Sequence, residues 1–469
     1  MTQLDVLPPV EYDLNYLPPS ATLPHVPAPP ACDSVPIDVS VPGLPPLFHG
    51  HPDLHMNNGI ISANHAGSTG EEDSEKAFFV ADLSQVWRQH QRWKRALPDV
   101  EPFYAVKCNP DPYVLRLLKA LGTGFDCASQ GEISQVLSIG VDASRIIFAN
   151  PCKPASFIRH AAKSDVALMT FDNTDELHKV ARLYPGAKLV VRILTDDSSS
   201  LCRLGVKFGA PLADVPRLLA CARGLNLNVV GVSFHVGSGC SDPNAFQDAI
   251  MRAHRAFAFG REAGYQFTLL DVGGGFEDLT FERSARAISD ALAHYFPKSE
   301  RETAGIRVIA EPGRFYVSTA FNLACNIIAR RVREGDDEAL DDDNETPRVM
   351  YYINDGVYGS FNCILFDHQV VYPHVLTVNG SFVSSTTASA DLELCSVWGP
   401  TCDGIDCVSP VTRLPRALEV GDWLGFRNMG AYTICAASQF NGFKTSDVVY
   451  TSGVGVDSAA VRRALVSTD

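Results

Sequence analysis

The 469-residue sequence lacks several patterns that would assign it to a class of proteins. It contains no apolar run near 18 residues, so it predicts no membrane-spanning helix and no membrane partner. Its first residues carry Asp5, Glu11 and Asp13 instead of a basic and then apolar signal sequence. The thirteen cysteines are scattered singly, without a C-x-x-C pair or zinc spacing. We therefore expect a cytoplasmic protein with reduced thiols and no metal.

Positive charge is also scarce. The chain has 39 Lys and Arg against 54 Asp and Glu, a formal net charge of −15 at pH 7. This balance argues against a nucleic-acid partner, because such a partner is itself a polyanion. The apolar content of 46% is typical of a globular protein. At this length we expect two domains.

Proline and acidic residues predict which segments do not fold. Residues 1–50 hold twelve of the thirty prolines, so we predict a disordered Pro-rich extension at 1–45. An edge strand near 44–48 and a polar loop at 67–75 would form an N-terminal strand and loop segment, 46–76, that joins the second domain. The acidic run at 334–346 predicts a disordered surface loop. We expect residues 462–469 to form a tail.

Between these segments, apolar strands alternate with helices of 3.6-residue period. The fold class is α/β, with a (β/α)8 TIM-type barrel at 77–318 and an all-β domain, a β-barrel or sandwich, at 319–461. An open, doubly wound sheet remains the alternative to the barrel. The strand at 78–80 leads into a helix capped by Asp82. The predicted barrel strands are 103–106, 124–127, 145–149, 166–171, 188–193, 229–234, 267–271 and 307–310, and those of the β domain are 321–330, 348–353, 370–378 and 423–426.

Polar side chains and glycines follow the predicted barrel strands, at the face where such barrels carry their active sites. Glycines after strands seven and eight lie where such barrels usually bind phosphate, and Arg314 can add charge-assisted hydrogen bonds. The residues that follow the eight strands are Lys107, Asp126, Asn150, Asp172, Arg192, His235, Gly273, Gly274 and Gly275, and Glu311 with Gly313 and Arg314.

Lys107 follows a buried strand, which leaves two interpretations. It clears the sheet and lies in solvent, as most lysines do, or it is a desolvated amine, its pKa forced down by burial, that forms a Schiff base. An amine facing a phosphate site favours pyridoxal phosphate. Glu311 would then pair with the pyridine nitrogen, unless it forms an ordinary surface salt bridge. His235 would lie flat against the ring, unless it is a core histidine.

Two loops of the β domain add candidate residues. Trp398-Gly399-Pro400-Thr401-Cys402-Asp403-Gly404 predicts a tight loop that presents Cys402 beside Asp403, although a buried cysteine and a turn aspartate are the common structural interpretation. The loop 428–433 offers the Tyr432 phenol near backbone donors.

Several of these motifs resemble eukaryotic, fungal-type ornithine decarboxylases, in the alanine-racemase-like class of pyridoxal-phosphate enzymes. The resemblance covers about residues 77–450. It implies a barrel with a β domain, and a homodimer in which two subunits share each active site. The stretches that carry it are PFYAVKCN (102–109), GFDCAS (124–129), FHVGSGC (234–240), DVGGGF (271–276), EPGRFY (311–316), NDGVYGSFNCIL (354–365), WGPTCDG (398–404) and GAYT (430–433).

The resemblance also implies roles for individual residues. Lys107 would carry the cofactor, Glu311 would hold the pyridine nitrogen and His235 would stack on the ring. Cys402, from the partner subunit, would reprotonate the carbanion, and Lys207 would pair with Asp406 across the interface. The remaining roles are cofactor and phosphate binding by Asp126, Glu132, Arg192, Ser238, Gly273, Gly274, Gly275, Gly313, Arg314 and Tyr432, and substrate binding by Asp367, Asp403 and Phe440.

The expected activity is decarboxylation of L-ornithine to putrescine, the first step of polyamine biosynthesis. The alternatives are a pyridoxal-phosphate enzyme acting on lysine or another amino acid, and an inactive regulator resembling antizyme inhibitors. Antizyme is a further candidate partner, through a surface around Lys153, Arg159, His160 and Lys163, with a solvated basic helix face as the alternative. Phe366 stands where many family members have tyrosine, and the Pro-rich extension is not a family feature.

Overall fold

The computed structural model describes residues 37–70, 75–333, 347–383 and 392–466. The predicted acidic loop at 334–346 and most of the predicted Pro-rich extension lie outside these ranges. Within the extension, Ile37–Val39 forms a strand that pairs with Leu47–Phe48, so the prediction of disorder to residue 45 is wrong there.

Eight parallel strands close into a barrel, as the strand–helix alternation predicts. Closure is made by the last strand, whose Ile309 and Ala310 pair with Glu101 and Pro102 of the first. The alternative of an open sheet is therefore wrong. The barrel strands are Glu101–Ala105, Gly124–Cys127, Ile146–Phe148, Leu168–Phe171, Lys188–Arg192, Asn228–Ser233, Leu269–Asp271 and Arg307–Ala310.

Four of the helices around the barrel begin at a side-chain cap, namely Asp82, Asp111, Ser129 or Asn173. Asp82 accepts a hydrogen bond from the Ser84 N–H, as predicted, and Asp111 accepts from the N–H groups of Tyr113 and Val114. Each cap satisfies backbone donors that a helix start leaves free. The helices are Leu83–Ala96, Pro112–Ala120, Gln130–Ser138, Ala155–Lys163, Thr174–Leu183, Val215–Gly224, Asn244–Glu262, Phe281–Tyr295, Lys298–Ala304 and Arg314–Val317.

The second domain is built on one large sheet around the long strand Phe321–Val332. The four predicted strand regions are confirmed as Phe321–Val332, Val349–Ile353, Pro373–Val375 with Thr377–Val378, and Trp423–Phe426. A five-residue helix, Asn362–Phe366, and the pairs Ser200–Cys202 with Ser238–Cys240 and Thr377–Val378 with Ser381–Phe382 complete the small elements. The sequence analysis did not predict the strands Leu392–Trp398, Cys407–Pro415 and Asp447–Thr451.

The predicted domain boundaries need three corrections. Phe78–Asp82 lies in the β-domain sheet, where it pairs with Phe321–Val332 and Asp447–Thr451, so the barrel strands begin at Glu101 and not within a segment that starts at 77. A strand followed by a helix looks the same in sequence whichever sheet it joins. The segment 46–76 contains the helix Pro52–Thr69, not only strand and loop. The helix Gly455–Val466 crosses the predicted boundary at 461.

The β domain reaches over the carboxyl end of the barrel. The Tyr432 N–H donates to the Cys108 carbonyl at 2.9 Å, and the Asn109 amide donates to the Gly430 carbonyl at 2.9 Å. A side chain at Gly430 would place its Cβ 1.8 Å from the Val317 carbonyl oxygen. Close packing at this glycine therefore brings Tyr432 beside Lys107. Across the described ranges, no helix combines the length and apolarity that crossing a membrane requires.

Candidate active site

Lys107 lies in the short turn Val106–Cys108 that follows the first barrel strand. Its Nζ is 2.6 Å from Asp126 Oδ2, because Ala105 and Asp126 are paired on neighbouring strands. Burial alone would lower the pKa of the lysine, but the Asp126 carboxylate, with Tyr432 and Glu311, outweighs it and raises that pKa. The argument that burial forces this pKa down is therefore wrong in sign, and Lys107 is held as an ammonium ion.

Two buried carboxyl groups lie next to this pair. Asp271 ends the seventh strand and accepts the Gly273 N–H at 2.9 Å, and Glu311 follows the eighth. Burial and the nearby carboxylates raise the pKa of Glu311 well above its ordinary value, and burial raises the pKa of Asp271 to about 7. The pair therefore holds a proton at neutral pH, with Glu311 the stronger base. The sequence analysis gave Asp271 no role, although it ends a strand as Asp126 does.

His235 is a neutral imidazole. Its Nδ1 accepts the Gly237 N–H at 2.9 Å, so the ring proton is on Nε2. Burial, with Arg192 and Lys107, lowers the pKa of His235 well below its ordinary value. Arg192 itself lies over the Phe208 ring, 5.2 Å from its centroid. The histidine thus presents an uncharged ring to the cavity that Lys107 enters.

The glycine turn after strand seven forms a close cradle. A Cβ on Gly273 would lie 2.1 Å from the Phe234 carbonyl oxygen, and one on Gly274 would lie 2.7 Å from His235 Nε2. Gly275 adopts a φ of 104°. A Cβ on Gly313 would lie only 2.8 Å from the Cβ of Cys108. At these positions the backbone therefore packs against Phe234, His235 and Cys108 more closely than a side chain would permit.

These groups surround one cavity of about 340 Å³ including its open mouth. Lys107 and Glu311 lie with His235 on its walls, and Ser238 and Arg314 supply donors beside the glycine turn. An amine, a buried acid pair and a glycine–arginine anion cradle are what pyridoxal phosphate requires of a protein, so the residues fit this cofactor. Tyr432 also lines the cavity, with its ring 5.3 Å from the Arg314 guanidinium carbon.

Asp367 is the predicted substrate carboxylate that the structure places beside Arg314, a residue of the cavity wall. It forms an ion pair with Arg314, through Oδ2 and a terminal guanidinium nitrogen, and its Oδ1 is 3.5 Å from Cys202 Sγ. Glu277, which the sequence analysis missed, also lines the cavity and lies beside the same arginine. Its signal was an acid placed directly after the Gly-Gly-Gly-Phe turn.

The loop with Cys402 and Asp403 does not join the cavity walls of the described chain. Cys402 is exposed, and its N–H donates to Asn441 Oδ1 at 3.1 Å. Asp403 accepts the Tyr358 hydroxyl at 2.5 Å, and Phe440 stacks on that tyrosine at 4.3 Å. The buried-cysteine interpretation of Cys402 is therefore wrong. Cys402, Asp403 and Phe440 form a surface group of their own.

Three further predicted residues have clear places. Glu132 Oε2 accepts the Ala128 N–H at 2.6 Å, just after the Asp126 strand. Asp406 is fully buried and accepts N–H groups of Val357 and Thr401 at 2.8 and 3.0 Å, so it already organises its own loop. Lys207 is exposed beside Phe208. The pairing of Lys207 with Asp406 of a second subunit stays a prediction.

Lys153 requires a correction. It was predicted to lie on a surface for antizyme, but it is 1% exposed, with Nζ 2.9 Å from Glu176 and 2.6 Å from the Thr170 carbonyl. A lysine here ties two adjacent barrel loops together. Only Arg159 and Lys163 of the predicted surface are exposed, and His160 is half-buried.

Comparison with known proteins agrees with this geometry. Residues 83–318 match the family model of the pyridoxal-binding domain of pyridoxal-dependent decarboxylases. The chain belongs to this family. The predicted family and cofactor, pyridoxal phosphate, are thereby confirmed.

Two relatives and one solved structure show the range of the family. Ornithine decarboxylase of Schizosaccharomyces pombe is 53% identical over 395 residues, 84% of this chain and 88% of that protein. Antizyme inhibitor 2 of Xenopus laevis is 51% identical over 393 residues, 82% of this chain and 83% of that protein. The arginine decarboxylase of Paramecium bursaria Chlorella virus superposes with a TM-score of 0.74 at 33% identity, covering 84% of this chain and all of that one.

Proposed function

We propose that this decarboxylase converts L-ornithine to putrescine and CO2. The observation that carries the proposal is one cavity lined by Lys107, by Gly274, Gly275 and Arg314, and by Glu311 of the buried acid pair. The S. pombe relative, named as an ornithine decarboxylase, supports the choice of substrate.

When bound, pyridoxal phosphate supplies the electron sink that loss of CO2 from an amino acid requires. Lys107 supplies the amine through which the cofactor is attached, and Asp126 orients that amine from 2.6 Å. Glu311, with Asp271 behind it, keeps a proton at the ring nitrogen. His235 closes the cavity with a neutral ring and adds no charge beside the site of reaction.

The far end of the substrate carries an ammonium group, which two carboxylates suit. Asp367 is paired with Arg314 of the cavity wall, and Asp403 is next to Cys402 in the sequence. After CO2 leaves, Cys402 delivers one proton to the α-carbon. Cys402 and Asp403 lie outside the cavity walls of their own described chain, which supports a homodimer in which the second subunit provides them. Lys207 and Asp406 would form the ion pair of that interface.

A panel of L-ornithine, L-lysine, L-arginine and diaminopimelate tests the activity, with CO2 release measured and each amine identified. We expect the highest kcat/KM on ornithine, with lysine reduced about 10- to 200-fold by its extra methylene. A higher kcat/KM on lysine would overturn the substrate assignment. If the protein binds the cofactor but releases CO2 from none of these amino acids, it is a regulator rather than an enzyme. The Xenopus relative is named as such a regulator, an antizyme inhibitor.

A further inference from the structure

Arg314 is held by two carboxylates at once. The arginine is 8% exposed, and one of its terminal nitrogens contacts both Asp367 Oδ2 and, at 3.3 Å, the Ser238 hydroxyl. Its Nε lies 2.9 Å from Glu277 Oε1. The role of Asp367 is explained by its proposed contact with the substrate, but no step of the proposed reaction uses Glu277.

Glu277 is placed to act on the phosphate site. It follows the glycine turn by two residues and lines the same cavity as Ser238 and Gly275. Its contact with Arg314 is an ion pair rather than a directed hydrogen bond, because the Nε–H of Arg314 finds no hydrogen-bond acceptor among the described residues. The carboxylate therefore faces the Nε edge of the guanidinium, while one terminal nitrogen of the same group contacts Asp367 and Ser238.

While Glu277 is ionised, the side-chain charges around Arg314 oppose the binding of a phosphate. One arginine between two ionised carboxylates gives a local side-chain charge of −1, and a phosphate ester brings about −1.5 to −2 more near neutral pH. Like charges in a poorly hydrated cavity repel strongly. Since Asp367 must stay ionised to bind an ammonium group, Glu277 is the carboxylate whose protonation relieves this repulsion.

The surroundings of Glu277 permit that protonation near neutral pH. Burial raises the pKa of Glu277 to about 7, helped by Asp367 and Asp278 and opposed by Arg314 and the Gly239 N–H. The Cys202 thiol also faces it from the strand Ser200–Cys202. A phosphate arriving beside it would raise the pKa further, by the same repulsion.

We propose that Glu277 is a positioning residue that orients Arg314 through Nε and takes up a proton when the cofactor phosphate binds. This inference rests on the assignment of Arg314 to the phosphate in the proposed function. Phosphate affinity is then coupled to pH at this site. It falls as the pH rises through 7, because an ionised Glu277 must first be protonated.

The test compares the wild-type protein with Glu277→Gln, using pyridoxine 5′-phosphate as the probe. This probe has no aldehyde, so it cannot attach to Lys107, and its Kd is measured by equilibrium dialysis between pH 6 and 8. The ionisation of the probe is the same for both proteins and cancels in the ratio of the two Kd values. We expect this ratio, wild type over variant, to be close to one at pH 6 and about tenfold at pH 8.

Three other variants separate the possible results. Glu282→Gln removes an acid that pairs with Arg92 at 2.8 Å, and should leave the Kd unchanged at every pH. Glu277→Ala removes the contact with Nε and should bind the probe more weakly than Glu277→Gln. Equal affinity of these two variants would overturn the positioning role.

Arg314→Ala should weaken probe binding across the whole pH range. If it does, and the ratio for Glu277→Gln is nevertheless independent of pH, proton uptake by Glu277 is refuted while the phosphate assignment stands. If Arg314→Ala binds the probe as the wild type does, the phosphate assignment itself is wrong.

Discussion

At the scale of single residues, the charge of the Lys107 amine is determined by its neighbours more than by its own burial. Asp126 is fully buried, and its Oδ1 has no hydrogen-bond partner among the described residues. The ammonium of Lys107 is thus the cation that makes this buried carboxylate tolerable. The same contact fixes the direction in which the amine enters the cavity.

Replacing Lys107 by alanine should remove the covalent attachment of the cofactor and the activity with it. The visible absorption band of the attached cofactor should vanish, and thermal unfolding should begin at a lower temperature because Asp126 loses its cation. Lys163→Ala, an exposed lysine on the helix Ala155–Lys163, is the matched control and should keep the band. Persistence of the band in Lys107→Ala would show that another amine carries the cofactor.

Cys402→Ala should separate cofactor binding from proton delivery. The absorption band should be retained, and kcat should fall by about 10²- to 10⁴-fold, the usual contribution of a positioned proton donor. The product should also be analysed, because an undelivered proton permits side reactions of the carbanion. Cys152→Ala, which removes another exposed thiol, should behave as the wild type. Normal turnover and normal product in Cys402→Ala would remove Cys402 from the reaction.

At the scale of elements, strand and helix positions were predictable where the pattern is local. The eight barrel strands are short apolar runs, each followed by a helix, and all eight were predicted. The sheet that a strand joins is a long-range property, so the strand predicted at 78–80 was placed in the barrel segment, outside its eight strands, although it pairs with Phe321–Val332. The helix Pro52–Thr69 was missed because it buries few apolar residues, among them Met56 and Ile60, within a polar sequence.

In the active site too, features with a local sequence pattern were predictable and long-range contacts were not. The lysine, the glycine turn and Glu311 each follow a barrel strand, so their shared location could be deduced from the chain. The contact of Arg314 with Asp367 joins the barrel to the β domain and has no local pattern. Burial of Lys153 depends on Glu176 and Thr170 in the next barrel unit, which a basic residue on a helix-rich surface does not reveal.

His90 on the helix Leu83–Ala96 should make stability depend on pH. Burial lowers its pKa from 6.5 to about 4, and its Nδ1 lies 3.0 Å from the Tyr316 hydroxyl. The unfolded chain therefore binds one more proton than the folded chain between these pH values, and stability falls as the pH drops from 6.5 to 4. The loss attributable to this histidine should approach roughly 3 kcal/mol.

Urea unfolding of the wild type and of His90→Gln at several pH values measures this contribution. The variant should lose less stability than the wild type between pH 6.5 and 4, whatever its stability at pH 7. His65→Gln alters a histidine on the helix Pro52–Thr69 and serves as the control. If the free energy of unfolding depends on pH in the same way for the wild type and for His90→Gln, the pKa of His90 does not change on unfolding.

At the scale of the whole molecule, the barrel and the β domain contribute to one cavity, through Lys107 and Tyr432 respectively. Cys402 and Asp403 belong to the same β domain, yet they lie on its surface outside that cavity. Large apolar side chains of the β domain are also exposed: Phe366 is 70% and Ile405 is 54% accessible. A second copy of the chain would cover such residues and supply the missing thiol.

Mixing two inactive variants tests this arrangement. If each site takes Lys107 from one subunit and Cys402 from the other, a dimer of Lys107→Ala with Cys402→Ala has one site without either group and one complete site. Statistical exchange makes half of the dimers mixed, so about a quarter of wild-type activity should return. The control pairs Lys107→Ala with a chain carrying both substitutions, in which every site lacks at least one group. Subunit exchange is verified with an affinity tag on one variant. If tagged mixed dimers form and remain as inactive as the control, each chain must build its site from its own Cys402, and the loop would have to move to the cavity within one subunit.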